Sequence, residues 1–383
     1  MRVVIEIPDD KSGTGIYVRE LVARLRTVEV PGTGEPIEVI AAEYRRLSHE
    51  RFGRHLSRLL NSFRMVWWMQ VTLPRICRRA RADVLHCTAF VCPRFAPCPV
   101  VVTILDMTHT RYPETMDAIW RYYLHLFLRP SLKRADRLLA ISHFSASDLI
   151  TVHPKVRDKV AVVHLAAAKE FRPAQDPAAA GRRLDKLGIR RPYFLHVGTM
   201  NPRKNIEGLL RGFARFKETS GEAPHRLIIA GARGWLCAGI VALVERLAAR
   251  DQLLFTGRVD DEDLIALYQG AEALVMPSFY EGFGLPVLEA MACGCPVITS
   301  NVSSLPEIAG DAALLVDSND EEAMAQAMSA ICSNPALRQS LVEKGCRRAA
   351  EFSWDRAAAE TARVYADAMA MYDKRKRKEV SPP

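Results

Sequence analysis

The chain has no run of about 18 apolar residues, so its sequence offers no membrane-spanning helix. Its first residues, MRVVIEIPDD, lack the apolar core of a secretory signal and read as a strand, which points to a cytoplasmic setting. Cysteines number nine, an odd count, and no CxxC pair occurs. Neither a disulfide framework nor a zinc site is indicated, and buried reduced thiols suit the pattern. Acidic residues are almost missing from one stretch: between Arg45 and Arg81 ten arginines stand against Glu50 alone. After the first strand, SGTGIYV at 12–18 lacks the third glycine of a dinucleotide fingerprint, because Val18 takes its place. No acidic residue stands in the expected spot after the second strand to hold a ribose. A nicotinamide cofactor is therefore not expected, and no other cofactor is indicated.

What remains is an ordinary globular composition over 383 residues, with 49% hydrophobic and 25% charged residues, a length that suits two domains. Net charge is +9, concentrated in the arginine stretch and in the run Lys374–Lys378. Such charge suits phosphate-bearing substrates or an anionic membrane face. A solvated helix face with a disordered tail explains it equally well, and no nucleic-acid partner is expected. Short V/I/L-rich runs alternate with helical patterns. Strands are expected at 3–7, 37–41, 84–87, 100–104, 137–141 and 160–164, then at 193–197, 226–230, 253–256, 273–276, 296–299 and 313–316. Helices fall between them, including 55–81, broken at Pro74, and 238–249. This alternation predicts an α/β chain of two doubly wound, parallel-sheet, Rossmann-like domains facing across a cleft. The first is expected over 1–170 and the second over 171–354. A helix at 355–375 packs back on the first, and 376–383 form a basic tail.

Three loops carry chemistry. In SGTGIYV, Gly13 and Gly15 can bring backbone N–H groups against a phosphate, although a plain turn competes as an explanation. In HVGTMNPRKN at 196–205, Arg203 and Lys204 follow a turn at Asn201–Pro202. They can neutralise a leaving diphosphate, Lys204 as a point charge and Arg203 as a planar fork. In YEGFGLPVLEAMACGCPV at 280–297, Glu281 lies on a loop and Glu289 on the helix that follows. Gly282 and Gly284 permit close backbone approach, and Pro286 fits the first helical turn. The free N–H groups of that helix start suit phosphate, while the two carboxylates suit sugar and ribose hydroxyls. Asp106, closing the strand VVVTILD, occupies a functional position for this architecture. His109 is a weaker candidate, since a lone loop histidine is more often structural. Asp260, Asp261 and Asp263 resemble a metal cluster but stand where a helix begins, so they read as caps; no metal site is expected.

Taken together, these motifs resemble glycosyltransferase family 4, whose members share the GT-B fold. The carrying segments are GTGIYVRELVARL at 13–25, HVGTMNPRKN at 196–205, IAGARGW at 229–235, the long segment 255–317, and EFSW at 351–354. The resemblance implies that Glu281 contacts donor-sugar hydroxyls and Glu289 the nucleotide ribose. It implies that amides of Phe283, Gly284 and Leu285 reach the distal phosphate, and that Arg203 and Lys204 bind the diphosphate. Gly13, Gly15 and Gly198 line the donor, and Asp106 serves catalysis. The chain departs from many relatives in carrying Thr199 instead of arginine after Gly198, and Leu105 instead of histidine before Asp106. The role of that histidine is absent or passes to His109.

The implied activity is retaining, metal-independent transfer of a hexose from a nucleoside-diphosphate sugar, with GDP-mannose the first choice of donor. The acceptor is a saccharide or a polyprenyl-linked one in surface polysaccharide synthesis. Work at the inner face of the membrane follows if the arginine stretch, with Trp67 and Trp68, touches lipid, although both tryptophans are expected to pack in the first domain. A nucleotide-sugar epimerase of the same fold, or a non-catalytic nucleotide-binding relative, are the alternatives.

Overall fold

The computed structural model describes residues 1–8, 13–30, 34–44, 54–221, 224–232, 234, 240, 243–244 and 252–380. All of the expected helix at 238–249 except 240, 243 and 244, and the arginines at 45, 46 and 51, fall outside them. The chain divides into two units, 1–165 with 354–383, and 166–353.

The first unit is built on six parallel strands in the order β2-β1-β3-β4-β5-β6. They are β1 (Arg2–Ile7), β2 (Glu38–Glu43), β3 (Val84–Cys87), β4 (Val100–Ile104), β5 (Arg137–Ala140) and β6 (Val160–Val162). The central runs VLHC and VVVTI are buried on both faces, as strands covered by helices on each side must be. The helices are α1 (Gly13–Leu25), α2 (Arg54–Trp67), α3 (Leu73–Ala80), the single turn α4 (Thr108–Arg111), α5 (Ala118–Arg134) and α6 (His143–Val152). A π-helical turn, Trp68–Thr72, joins α2 to α3. The break thus begins six residues before Pro74. That proline has no N–H for the carbonyl four residues back, and its ring crowds that carbonyl, so the preceding turn widens. The tryptophan pair is split. Trp68 packs on the core and meets the Tyr44 ring at 5.7 Å, whereas Trp67 is 61% exposed, contrary to the expectation that both pack.

The second unit carries β7 (Tyr193–Val197), β8 (Arg226–Ala230), β9 (Leu253–Gly257), β10 (Ala273–Met276), β11 (Val297–Ser300) and β12 (Leu314–Val316), all parallel, in the order β12-β11-β10-β7-β8-β9. Strand order therefore reverses between β7 and β10, and in open parallel sheets such a switch point opens a crevice at the strands' carboxyl ends. Its described helices are α7 (Pro177–Lys186), α8 (Ile206–Thr219), α9 (Asp261–Gly270), α10 (Leu285–Ala292), α11 (Leu305–Ala309), α12 (Glu321–Ser333) and α13 (Pro335–Ala350). Asp260 caps α9 by accepting from the Asp263 amide at 2.7 Å, and Asp263 in turn accepts from Arg183 at 2.8 Å.

The last helix, α14 (Trp354–Val380), belongs to the first unit. Tyr365 on it is fully buried and shares a 2.8 Å hydrogen bond with Nδ1 of His86, whose Nε2 lies 2.8 Å from the Thr103 hydroxyl. The Tyr17 hydroxyl completes the chain at 2.9 Å from Thr103, and its ring stacks on Trp354. Burial pushes His86 down to about 3, so it is neutral and uses one nitrogen to donate and the other to accept. Among the described residues, no helix is long and apolar enough to cross a membrane.

Candidate functional site

Three chain segments meet at the switch point of the second unit. The first leaves β7 at Gly198, whose φ of +152° belongs to glycine. The chain then runs through a 3-10 turn, Pro202–Lys204, to Asn205. Asn205 sits in the left-handed region, caps α8 by accepting from the Gly208 amide, and donates to the carbonyls of Pro277 at 3.2 Å and Ser318 at 2.6 Å. The second segment leaves β10 and turns at Gly284 (φ +108°) into α10. The two are stitched together: the Phe279 amide donates to the Arg203 carbonyl at 2.8 Å, and Arg203 Nη1 donates to the Tyr280 carbonyl at 2.8 Å. The third follows β8, and there the absence of a side chain is required. A Cβ on Gly231 would lie 2.0 Å from the Gly198 carbonyl oxygen.

Glu281 sits at the centre of this arrangement. It is 6% exposed, accepts from Arg203 Nη1 at 2.9 Å on one oxygen, and from Lys204 Nζ at 2.5 Å on the other. Burial alone would raise its carboxyl; the Lys204 and Arg203 cations overcome that and hold it down at about 2. Its amide donates to the Ser303 hydroxyl at 3.1 Å, and the Ser304 hydroxyl reaches its carbonyl and that of Phe283 at 3.0 and 2.8 Å. Gly198 leaves room for Lys204, since a Cβ there would approach the Lys204 stem at 3.4 Å.

Phe283, Gly284 and Leu285 form the start of α10, where no side chain caps the helix. Four residues into α10 the buried Glu289 accepts from the Tyr268 hydroxyl at 2.9 Å. With no cation on it among the described residues, burial pushes its carboxyl up to about 7. One carboxylate is thus firmly ionised and the other titrates near neutrality, because among the described residues the first has cationic partners and the second has none.

Arg203, Lys204 and Glu281 are bonded to one another, and Gly198 packs on Lys204. Asp106, Gly13 and Gly15 lie in the first unit. Asp106 accepts from the Thr108 amide at 2.8 Å and so starts α4. Gly13 opens α1, and a Cβ there would meet nothing within 4 Å. Nearby His109 has a buried Nδ1 without a hydrogen-bond partner, and burial lowers its pKa.

Two residues of the site escape sequence reading. His196, fully buried on β7, places Nδ1 2.9 Å from the Val275 carbonyl, so that nitrogen carries the proton and Nε2 is a buried acceptor. Burial holds it at about 4, hence neutral beside Lys204. Tyr268 lies on α9, and its sequence surroundings give no sign of the bond to Glu289.

A family model described as Glycosyl transferases group 1 matches residues 184–348, and one described as Glycosyltransferase Family 4 matches 11–167. The chain is 38% identical over 267 residues to an O-antigen chain mannosyltransferase B of Escherichia coli, covering 69% of each protein. Among solved structures it resembles sucrose-phosphate synthase of Thermosynechococcus elongatus, at 20% identity and a TM-score of 0.70, covering 97% of this chain and 99% of that one. It also resembles Anabaena HepE in complex with UDP and glucose, at 14% identity and a TM-score of 0.71, covering 96% and 99%. At those identities the two structures speak for the fold, which is GT-B.

Proposed function

From the premise that this chain belongs to glycosyltransferase family 4 and transfers a hexose in surface polysaccharide synthesis, we propose that it uses GDP-mannose, retains anomeric configuration and needs no metal. The observation carrying this reading is the bonded set of Glu281, Arg203 and Lys204 at the β7/β10 switch point, beside the uncapped start of α10.

Departure of a nucleoside diphosphate leaves positive charge at the anomeric carbon and negative charge on phosphate oxygen. Arg203, Lys204 and the amides of Phe283, Gly284 and Leu285 supply fixed positive charge for that oxygen, the work a metal performs elsewhere. Without a donor the two cations are held by Glu281. When a diphosphate takes over the cations, Glu281 is released to accept from sugar hydroxyls, and the two cations offset the diphosphate's charge. On this reading Glu281 orients the sugar through its hydroxyls and does not attack the anomeric carbon. Glu289, ionising as it accepts two ribose hydroxyls, would anchor the nucleotide. Asp106, with His109 near it, serves the acceptor side, and Leu105 leaves no histidine at the position before it.

The first unit supports contact with an anionic membrane face. Phe63, Trp67 and Phe95 are each more than half exposed, and the Arg94 amide donates to Gln70, one turn beyond Trp67. Arg64, Arg75, Arg78 and Arg79 on α2 and α3 are exposed as well, and those helices contain no acid.

The test is transfer by the purified chain from GDP-mannose and from UDP-hexoses to a lipid-linked saccharide, with and without EDTA, the product's anomeric configuration being read by NMR. Mannose transferred from GDP-mannose with retention and unimpaired by EDTA is expected. An inverted product, or activity abolished by EDTA and restored by manganese, overturns the mechanism. Conversion of donor alone to an isomeric sugar favours an epimerase.

A further inference from the structure

The first unit contains a cavity of about 550 Å³ on its own surface, between α4, α5 and the end of α6. Its polar lining includes His109, Thr110, Arg121, His125, Arg129 and His153, and among the described residues no acidic side chain lines it. The two acids nearest His109 are already engaged. Asp148 is bonded to Arg111 through Nε at 2.8 Å, and Asp106 accepts from the Thr108 amide. Arg121 makes one 3.3 Å bond to the Pro113 carbonyl, and Arg129 and His125 have no side-chain partner among the described residues. Nδ1 of His109 is buried and unpartnered. Helix α5 carries no acid over 17 residues, so nothing on it offsets Arg121, Arg129, Lys133 and Arg134.

A cavity with arginine forks, imidazoles, an unsatisfied buried nitrogen and no carboxylate is built for an anion that accepts several hydrogen bonds. Its volume lies within the range of small-ligand sites. The remaining wall is apolar, formed by Leu124, Leu128 and Val152. Tyr122 stands at its rim, 65% exposed, and Ile119 and Leu126 are exposed on the same side of α5. This combination fits an anionic group attached to something apolar.

We propose that this cavity binds a phosphate or diphosphate ester. On the transferase reading, on which this role rests, the ester is the phosphate-bearing part of the acceptor.

The experiment is hydrogen–deuterium exchange on the full chain, with inorganic pyrophosphate in one arm and farnesyl diphosphate in the other. Peptides covering 108–129 and 150–154 are expected to exchange more slowly with at least one probe. In an Arg121→Ala/Arg129→Ala variant, whose two side chains are exposed, the same protection should need at least tenfold more probe. Protection by pyrophosphate supports recognition of the phosphate from any source. Protection by farnesyl diphosphate alone supports a lipid-linked source. No protection with either probe, or equal protection in the variant, overturns the inference. Peptides covering 198–206 and 280–292 report on the donor site separately. A response confined to them sinks this proposal and spares the donor assignment, while a response confined to the first unit does the reverse.

Discussion

Replacing Glu281 by glutamine removes one charge and almost no volume, so it isolates the electrostatic part of the site. The wild-type carboxyl falls from 4.5 to about 2 on folding. At about 1.4 kcal/mol per pKa unit, that shift represents about 3 kcal/mol of stability. The folded value lies below the unfolded one, so this stability is complete above about pH 4.5 and is lost as pH falls through 2. An independent bracket agrees, since removing one partner of a buried ion pair costs about 3–5 kcal/mol. Arg203 is partly solvated, which favours the lower end. For a unit of this size, about 3 kcal/mol lowers Tm by roughly 6–12 °C. Calorimetry of both proteins at pH 7 and pH 3 should show that gap at neutral pH and roughly half of it at pH 3. Nucleotide should still bind, because Arg203 and Lys204 are freed, while kcat/KM drops by about 2–4 kcal/mol. Equal melting temperatures at pH 7, or a gap that is undiminished at pH 3, would refute the argument that the cations hold this carboxylate.

Glu289 has the opposite sign: its folded value, about 7, exceeds the unfolded 4.5, so stability is full below 4.5 and is lost as pH rises through 7. Glu289→Gln should therefore raise the ligand-free Tm at pH 8, by up to about 3 kcal/mol of stability, and weaken nucleotide binding in a calorimetric titration; an unchanged Tm at pH 8 contradicts it. Gly231→Ala must displace the Gly198 carbonyl and should cost about 1–3 kcal/mol together with much of the activity, whereas Gly13→Ala, with open space around it, should leave thermal stability unaltered. Trp67→Ser should reduce flotation with anionic vesicles at low salt without lowering Tm, and Trp68→Ala should lower Tm; the reverse pattern would remove the membrane assignment.

All twelve described strands were legible because each is a short apolar run between turn signals. The edge strand β6 ends at Val162, two residues short of the sequence estimate. Arg203, Lys204 and Glu281 were legible as loop residues at strand ends. Their bonding to one another was not, since the sequence assigned each a ligand and said nothing of the partners that buried charges need without one. His196 and Tyr268 matter through neighbours 79 and 21 residues away, a relation that no local pattern encodes. The tryptophans show the same limit on a smaller scale. Successive helix residues point about 100° apart, so one ring faces the core while its neighbour faces solvent.

The placement of α14 has a consequence for how the protein comes into being. The second unit is an insertion in the first, whose final helix is synthesised only after the second unit. At ribosomal speeds of about 5–20 residues per second, the segment between Leu165 and Trp354 takes roughly 10–40 s to emerge. Throughout that interval Tyr17, His86 and Thr103 lack Trp354 and Tyr365, and the nascent first unit carries an open apolar seam. The second unit, contiguous in sequence, has no such wait. The later half of this chain can therefore finish folding before the earlier half, and a ribosome stalled before residue 354 would release a first unit with its seam uncovered.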